Sequence, residues 1–521
     1  MDDYIKRILT SRVYEVVDES PLDELPRLST RLKRRAFLKR EDLHSVFSFK
    51  IRGAYNRIAN IPEDLRRQGV ICASAGNHAQ GVALSAERLG IRATIVMPTT
   101  TPSIKVEAVR KLGGRTVVVV LVGETFDEAY VEARRLEAQD GLTFVHPFDD
   151  PDVIAGQGTI GLEIVRQHAS AIDAIFVPVG GGGLIAGLGA YVKYVRPDIK
   201  VIGVEPDDAP TLHHALAENA RVSLRQVGIF ADGVAVRQIG AEPFRLAREV
   251  VDEVILVSTD EICAAIKDIF DDTRSIAEPS GALGVAGLKK YAARSDADRN
   301  QHSPHDRRPR MGSLIAINSG ANMNFDRLRH VAERADLGER KEALLAATIP
   351  ERPGSFREFS SAIGNRNITE FNYRYSGQDE ARVFLGVELT DGLEEQRRLI
   401  ESLCAKGYQI LDLSDNEMAK LHVRYMVGGH ATDVANEILY RFEFPERRGA
   451  LQRFLDGLAL GWNISLFHYR NHGSDYGRVL VGMQVPTEER AAFEVYIREL
   501  GYVFAEESAN PAYAMFLGTR A

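Results

Sequence analysis

The sequence predicts an α/β protein in which two parallel-sheet subdomains are followed by two ferredoxin-like domains. Three observations carry this. Over the first two-thirds, short apolar runs alternate with helical patterns, the signature of βαβ units. Glycine- or serine-led turns follow several of those runs directly, as at Ser74-Ala75-Gly76-Asn77, Gly180-Gly181-Gly182-Gly183 and Ser319-Gly320. The last third contains an internal repeat. At 521 residues the chain has room for about three domains. Its 45% hydrophobic and 26% charged residues suit a globular protein with large cores. Lys plus Arg is 65 and Asp plus Glu is 73, a net charge of −8, which argues against binding a nucleic-acid backbone. Cys72, Cys263 and Cys404 have no paired spacing, which argues against a disulfide framework or a zinc site.

Taken in order, Met1 to Thr10 reads MDDYIKRILT, with no apolar segment of a secretory or transit peptide, so a cytoplasmic protein is expected. Val70–Ala73, Ala93–Met97 and Thr116–Val122 read as strands, separated by helical patterns such as Ala79, Val82, Ala83 and Ala86. Ala174 to Val192 is an uncharged run of membrane-spanning length. Pro178 and four glycines inside it make it a strand, a loop and a helix start instead, so no membrane is expected. Ile175–Val179, Val201–Glu205, Val251–Val257 and Leu314–Asn318 continue the strand series. Ala292 to Met311 is polar and predicts a mobile surface loop. Its Arg307, Arg308 and Arg310 read as solvated rather than as a nucleic-acid patch.

After the charged segment Asp326 to Arg340, read as a linker, Pro350-Glu351-Arg352-Pro353-Gly354 matches Pro445-Glu446-Arg447-Arg448-Gly449. Asn367-Ile368, Phe371 and Tyr373 match Asn463-Ile464, Phe467 and Tyr469; Arg382 and Gly386 match Arg478 and Gly482. The first offset is 95 and the later ones 96, so one residue is inserted within the unit. Each copy reads strand, helix, strand, strand, helix, strand, the ferredoxin-like order. Two copies are too few for a solenoid and imply a paired regulatory or structural module.

Five segments carry chemistry. Lys50, in Ser48-Phe49-Lys50-Ile51-Arg52-Gly53-Ala54, has apolar neighbours, and Gly53-Ala54 begins an apparent helix. An isolated lysine is usually a solvated charge. In an apolar site, however, desolvation lowers its pKa, and a neutral amine can bond an aldehyde cofactor. Ser74 to Asn77, between strand and helix, offers backbone N–H groups to an anion such as a substrate carboxylate, or is an ordinary turn; His78 after it reads as packing. Gly180 to Gly183, with Leu184, allows backbone amides close to a phosphate. Gly181, Gly183 and Ala186 also fit a dinucleotide fingerprint with Glu205 as the ribose acid, so NAD stays open on local evidence. Glu278-Pro279-Ser280-Gly281-Ala282 and Ser319-Gly320-Ala321-Asn322 complete the set, and each alone could be a turn or a cap. Asp149, Asp150 and Asp152 lack the calcium-loop pattern and read as a solvated turn.

Together SFKIRGA, SAGNHAQG, VPVGGGGL, ADGVAV, EPSGA and SGANMNF occur in the order of the fold type II pyridoxal-phosphate enzymes, and the chain resembles the biosynthetic threonine deaminases among them over nearly its whole length. The resemblance implies a catalytic domain over 1–335, with a smaller subdomain about 41–146 inserted in the larger, and ACT-like regulatory domains over 336–418 and 419–521. It implies pyridoxal 5′-phosphate as cofactor and β-elimination of L-threonine to 2-oxobutanoate and ammonia. L-Serine dehydration is an alternative, as are an NAD-dependent oxidoreductase and a non-catalytic amino-acid sensor. Carried over by position, Lys50 resembles the Schiff-base lysine and Asn77 the partner of the cofactor 3′-oxygen. Gly180, Gly181, Gly182, Gly183 and Leu184 resemble the phosphate cradle, Ser319 the partner of the pyridine nitrogen, and Ser74, Ala75, Gly76 and Asn77 the substrate carboxylate loop. Serine racemase, a relative, has a second catalytic serine where this chain has Ala75, so racemisation is not expected. Thr211 stands where relatives that bind a cation near Glu205 have another acid, and no metal is expected. The repeat implies inhibition by isoleucine, opposed by valine, in a homotetramer, with Tyr373 and Tyr469 as effector contacts or as packing aromatics.

Overall fold

A computed structural model describes residues 1–300, 312–350, 358–359, 362–364, 366, 368–373, 380–425, 436–445, 453–454, 458, 462–470 and 476–517. The chain forms two units, Met1–Met323 and Asn324–Ala521.

The first unit holds two sheets. Strands β1 (Leu22–Glu24) and β2 (Ala36–Arg40) open the larger one. The chain then leaves it to build a separate sheet from β3 (Val70–Ala73), β4 (Ala93–Met97), β5 (Val117–Leu121) and β6 (Thr143–Phe144). It returns with β7 (Ile172–Pro178), β8 (Lys200–Pro206), β9 (Glu253–Val257) and β10 (Ser313–Asn318). The small sheet runs β5-β4-β3-β6 and is parallel throughout. The large sheet runs β1-β2-β10-β7-β8-β9, parallel except at its β1 edge. Parallel strands covered on both faces should be apolar throughout. Every residue of β2, β3 and β10 is buried, and the large-sheet core gathers Ile175, Val177, Val201, Ile315 and Ile317. From β7 the chain proceeds outward to β8 and β9, while β10 lies on its other side. Such a reversal of strand order opens a crevice at the carboxyl ends, where ligands of α/β sheets bind.

The expected loop from Ala292 is corrected in part. The helix that begins at Pro279 continues to Asn300. Ala, Arg and Asp in this stretch give no apolar stripe, but only glycine and proline strongly oppose a helix, and neither occurs before Gly312 except Pro304 and Pro309. Residues 301–311, with Arg307, Arg308 and Arg310, lie outside the described residues.

The second unit begins with the helix Arg327–Gly338, so the segment read as a linker is largely helical. Two four-stranded antiparallel sheets follow. The first contains β11 (Glu342–Pro350), β12 (Ile368–Tyr373), β13 (Glu380–Glu388) and β14 (Gln409–Asp412), in the order β12-β13-β11-β14. The second contains β15 (Glu437–Pro445), β16 (Asn463–Arg470), β17 (Tyr476–Gln484) and β18 (Val503–Glu506), in the order β16-β17-β15-β18. This is the ferredoxin-like arrangement twice. Thr348 pairs with Arg382, and Glu443 with Arg478. Those registers place the inserted residue between the first and third strands of the second copy. The turns Glu351–Gly354 and Glu446–Gly449 lie outside the described residues. One core draws Leu344 and Phe384 from the first copy and Leu439 and Leu480 from the second, with Tyr513 and Phe516.

Candidate active site

Lys50 is placed from both sides. It is the first residue of the helix Lys50–Asn60. The residues before it are stitched to the turn after β10: Phe49 N donates to Ser319 O (3.2 Å), Ala321 N donates to Phe47 O (2.9 Å), and Ser48 bridges to Gly320. Phe47 takes a left-handed φ of 53°, rare for a bulky residue and a sign of local strain. Behind the lysine, Arg52 is fully buried. It donates to Glu41 Oε2 (2.7 Å) and Glu163 Oε2 (3.0 Å), while the equally buried Lys39 donates to the same Glu163 oxygen at 2.6 Å. These ion pairs tie the lysine helix to β2 and to the helix Pro151–Gln167. A Cβ on Gly53 would come within 2.8 Å of Val153 O, so only glycine allows that helix contact.

The Lys50 amine donates to Pro147 O at 3.1 Å. Burial pushes its pKa down to about 8, against the opposing effect of the Glu278 carboxylate.

Three turns meet around it. Asn77 opens the helix Asn77–Leu89 after β3; its amide donates to Glu278 Oε1 (2.7 Å) and accepts from Asn322 Nδ2 (2.7 Å). Gly180–Gly183 leads from β7 into the helix Gly183–Val195. Gly182 has φ 86°, and a Cβ on Gly181 would fall inside the Phe148 ring. A Cβ on Gly183 would lie 2.9 Å from Phe148 O. The Ser319 hydroxyl, after β10, donates to Ser280 O at 3.3 Å. Lys50, Asn77, Gly180, Gly181, Gly182, Gly183, Leu184 and Ser319 all line one cavity, which spans about 500 Å³ including its open mouth. Ser74, Ala75 and Gly76 share the helix start with Asn77 but do not line it.

Other residues fall away from the cavity. His78 is buried and bonds Val145 O, and burial pushes its pKa down to about 3, as suits packing. Glu205 is fully buried with its oxygens accepting from Leu212 N (2.7 Å) and His213 N (2.9 Å). Burial pushes it up to about 8 despite those bonds. Its carboxylate is thus spent on a helix start and offers no grip on a ribose. The Asp149-Asp150 turn is corrected: it is not a solvated turn. Asp149 accepts from Ala241 N and Glu242 N, and Asp150 caps the helix at Pro151 through Asp152 N and Val153 N. Among the described residues, no group of three or more His, Cys, Asp or Glu is placed to hold a metal ion.

Sequence reasoning missed Pro147, Phe148 and Gln157 as lining residues, and assigned no role to Glu278, Ser280, Gly233 or Val234. Gln157 carried a signal: it is a lone amide within the otherwise apolar or small Val153–Leu162 stretch.

The site's chemistry suits a phosphorylated aldehyde. A glycine loop that excludes side chains starts a helix and can cradle a phosphate. An amine with a lowered pKa stands across from it. Ser280 Oγ and both polar atoms of the Gln157 amide are buried without partners. Comparison with known proteins agrees. Residues 13–302 match the family of pyridoxal-phosphate dependent enzymes, and residues 333–423 and 428–517 each match the C-terminal regulatory domain of threonine dehydratase. The chain is 55% identical over 515 residues to L-threonine dehydratase biosynthetic IlvA of Burkholderia multivorans, covering 99% of each. It is 53% identical over 527 residues to the mitochondrial threonine dehydratase of Saccharomyces cerevisiae, covering 99% of this chain and 89% of that one. A solved structure, the processed form of threonine deaminase isoform 2 from Solanum lycopersicum, matches with TM-score 0.60 and 49% identity over 64% of this chain and 93% of the other. A parallel-sheet unit with a lysine facing a glycine loop, followed by two regulatory-domain matches, places the chain in the pyridoxal-phosphate-dependent enzyme family, among the biosynthetic threonine dehydratases.

Proposed function

We propose that the chain converts L-threonine to 2-oxobutanoate and ammonia, with pyridoxal 5′-phosphate seated in this cavity and bonded through Lys50. The observation that carries the reading is the Lys50 amine, with a pKa of about 8, facing the same cavity as the glycine loop and Ser319. When bound, the cofactor supplies an aldehyde for covalent attachment and a ring that draws electrons from the substrate α-carbon.

The chain's own residues do the rest. Backbone amides of Gly180–Gly183 and Leu184 would hold the phosphate. Asn77 would bond the 3′-oxygen, and Ser319 would be the partner of the pyridine nitrogen. A serine hydroxyl does not keep a proton on that nitrogen as a carboxylate would, which favours elimination over transamination. Asn77 lines the cavity, and Ser74 to Gly76, at the same helix start but not lining it, would join it in receiving the substrate carboxylate. With the substrate in place, Lys50 Nζ would take the α-proton. At a pKa of about 8, roughly one amine in ten is neutral at pH 7, against roughly one in three thousand at the ordinary value. Ala75 has no proton to deliver to the opposite face, which supports a lyase over a racemase.

The regulatory repeat is proposed to bind isoleucine as inhibitor and valine as its antagonist, with Tyr373 and Tyr469 as contacts. We assign 1–335 to catalysis, with 41–146 as its inserted subdomain, and 336–418 and 419–521 to regulation. A homotetramer in the cytoplasm is the proposed setting; no helix among the described residues is long and apolar enough to cross a membrane.

The test is a threonine assay on the purified protein loaded with pyridoxal 5′-phosphate. Lys50→Ala is expected to lose at least a thousandfold in turnover, and borohydride treatment followed by peptide mass spectrometry should find the cofactor on Lys50. Normal turnover by Lys50→Ala would defeat the proposal.

A further inference from the structure

Gln157 stands on the helix Pro151–Gln167 and is 1% exposed. Neither polar atom of its amide has a hydrogen-bond partner, and the residue lines the cavity that holds Lys50 and the glycine loop. Buried amides in native proteins are nearly always bonded, so this one calls for a ligand.

Its neighbours show what it faces. Gly156 packs on the lysine helix, where a Cβ would come 2.7 Å from Arg52 O. Gly158 packs on the helix Gly183–Val195, where a Cβ would come 2.9 Å from Gly187 O. Successive helix residues are turned by about 100°. Gln157 therefore projects between those two contacts, with its Nε2 against the lysine helix, 2.4 Å from where a Cβ on Gly53 would lie. Both helices begin at the cavity, at Lys50 and at Gly183. Their first N–H groups lack partners within the helix and favour an anion. A neutral amide adds one more donor there without adding charge.

We infer that Gln157 is a further phosphate ligand, its amide N–H donating to an oxygen of the phosphate seated in the glycine loop. The inference rests on the seating of pyridoxal phosphate proposed above. It gives the buried amide a partner in the loaded protein and explains a polar side chain at an otherwise apolar position.

The experiment titrates the apoprotein with pyridoxal phosphate and with pyridoxal, which has the same aldehyde and no phosphate. Binding is followed by visible absorbance, and the bound phosphate by its phosphorus resonance. Gln157→Met removes the amide at nearly constant volume, and Gln157→Glu puts a carboxylate in its place. For Gln157→Met we expect about a tenfold loss of pyridoxal phosphate affinity, or about 1.4 kcal/mol. Pyridoxal affinity should stay within about twofold, with a shifted phosphorus signal; these expectations follow from removing one hydrogen bond to a charged group. Gln157→Glu should weaken pyridoxal phosphate further through like-charge repulsion. An unchanged affinity in Gln157→Met, or equal losses for both ligands, overturns the inference while the seating stands. A wild-type protein that binds pyridoxal phosphate no better than pyridoxal removes the seating itself, and the inference with it.

Discussion

Lys50 is useful because its surroundings make an ammonium costly. The amine reaches one carbonyl, Pro147 O, and the nearby Glu278 carboxylate is not enough to offset the lost water. That imbalance has a sign in stability. The folded-state pKa lies below the unfolded one, so between about pH 8 and 10.5 the unfolded chain holds a proton that the folded chain has released. Unfolding free energy therefore gains from Lys50 as pH rises through that window, and the penalty for burying the charge is fully present below it. Denaturant unfolding of the apoprotein and of Lys50→Met should give a difference that climbs over this range. A flat difference would mean that the amine stays hydrated. The lysine, Asn77, the glycines and Ser319 were legible as residues because each obeys a local rule: a base beside apolar neighbours, or a turn after a strand. Glu278 was not, because its meaning depends on a partner 201 residues away, and Gln157 showed only as a lone amide in an apolar stretch, its missing partners being visible in the structure alone.

At the scale of elements, the lysine helix is held in place by charge as well as by apolar packing. Arg52, Lys39, Glu41 and Glu163 are all fully buried and balance one another, with His44 and Tyr14 completing the bonds of the two carboxylates. Such a set is costly to assemble and costlier to break. Arg52→Ala would leave two carboxylates facing a single lysine. It should destabilise the chain by about 3–5 kcal/mol, measured as a lower denaturation midpoint. Arg52→Met, which fills the volume without the charge, should be no better, because the carboxylates remain. Full recovery by methionine would mean that Arg52 serves as packing alone. The strands of this unit were readable from their apolar runs, and the turns from glycine. The Asp149–Asp150 misreading has a physical source. Three acids close together look solvated, yet Asp150 directly before Pro151 is a helix-start signal, since proline fits the first helical position and aspartate caps it. The polar helix past Ala292 was missed because it lacks an apolar stripe, the very feature that makes helices visible in sequence.

At the scale of the whole molecule, the repeat was the most legible feature, because a duplicated strand register survives as a nearly fixed offset, 95 residues and then 96. Its two sheets place Tyr373 opposite Val383 and Tyr469 opposite Val479, the same position in each copy. The copies also share one apolar core, through Leu344, Phe384, Leu439 and Leu480. Packed cores change between discrete arrangements more readily than they deform, so an effector bound at one copy is expected to bias the other. Regulatory coupling typically amounts to about 1–3 kcal/mol, a shift of roughly 5- to 150-fold. Tyr373→Ala and Tyr469→Ala should each raise the isoleucine concentration for half-inhibition by about tenfold, while threonine turnover without isoleucine stays near normal. If the shared core couples the copies, the double variant should depart from the product of the two single effects, as contacting sites do and distant ones do not. Inhibition curves for the two single variants and the double variant decide it. Curves that match the wild type place the effector away from both tyrosines, and purely multiplicative shifts mean two sites that act without reference to each other.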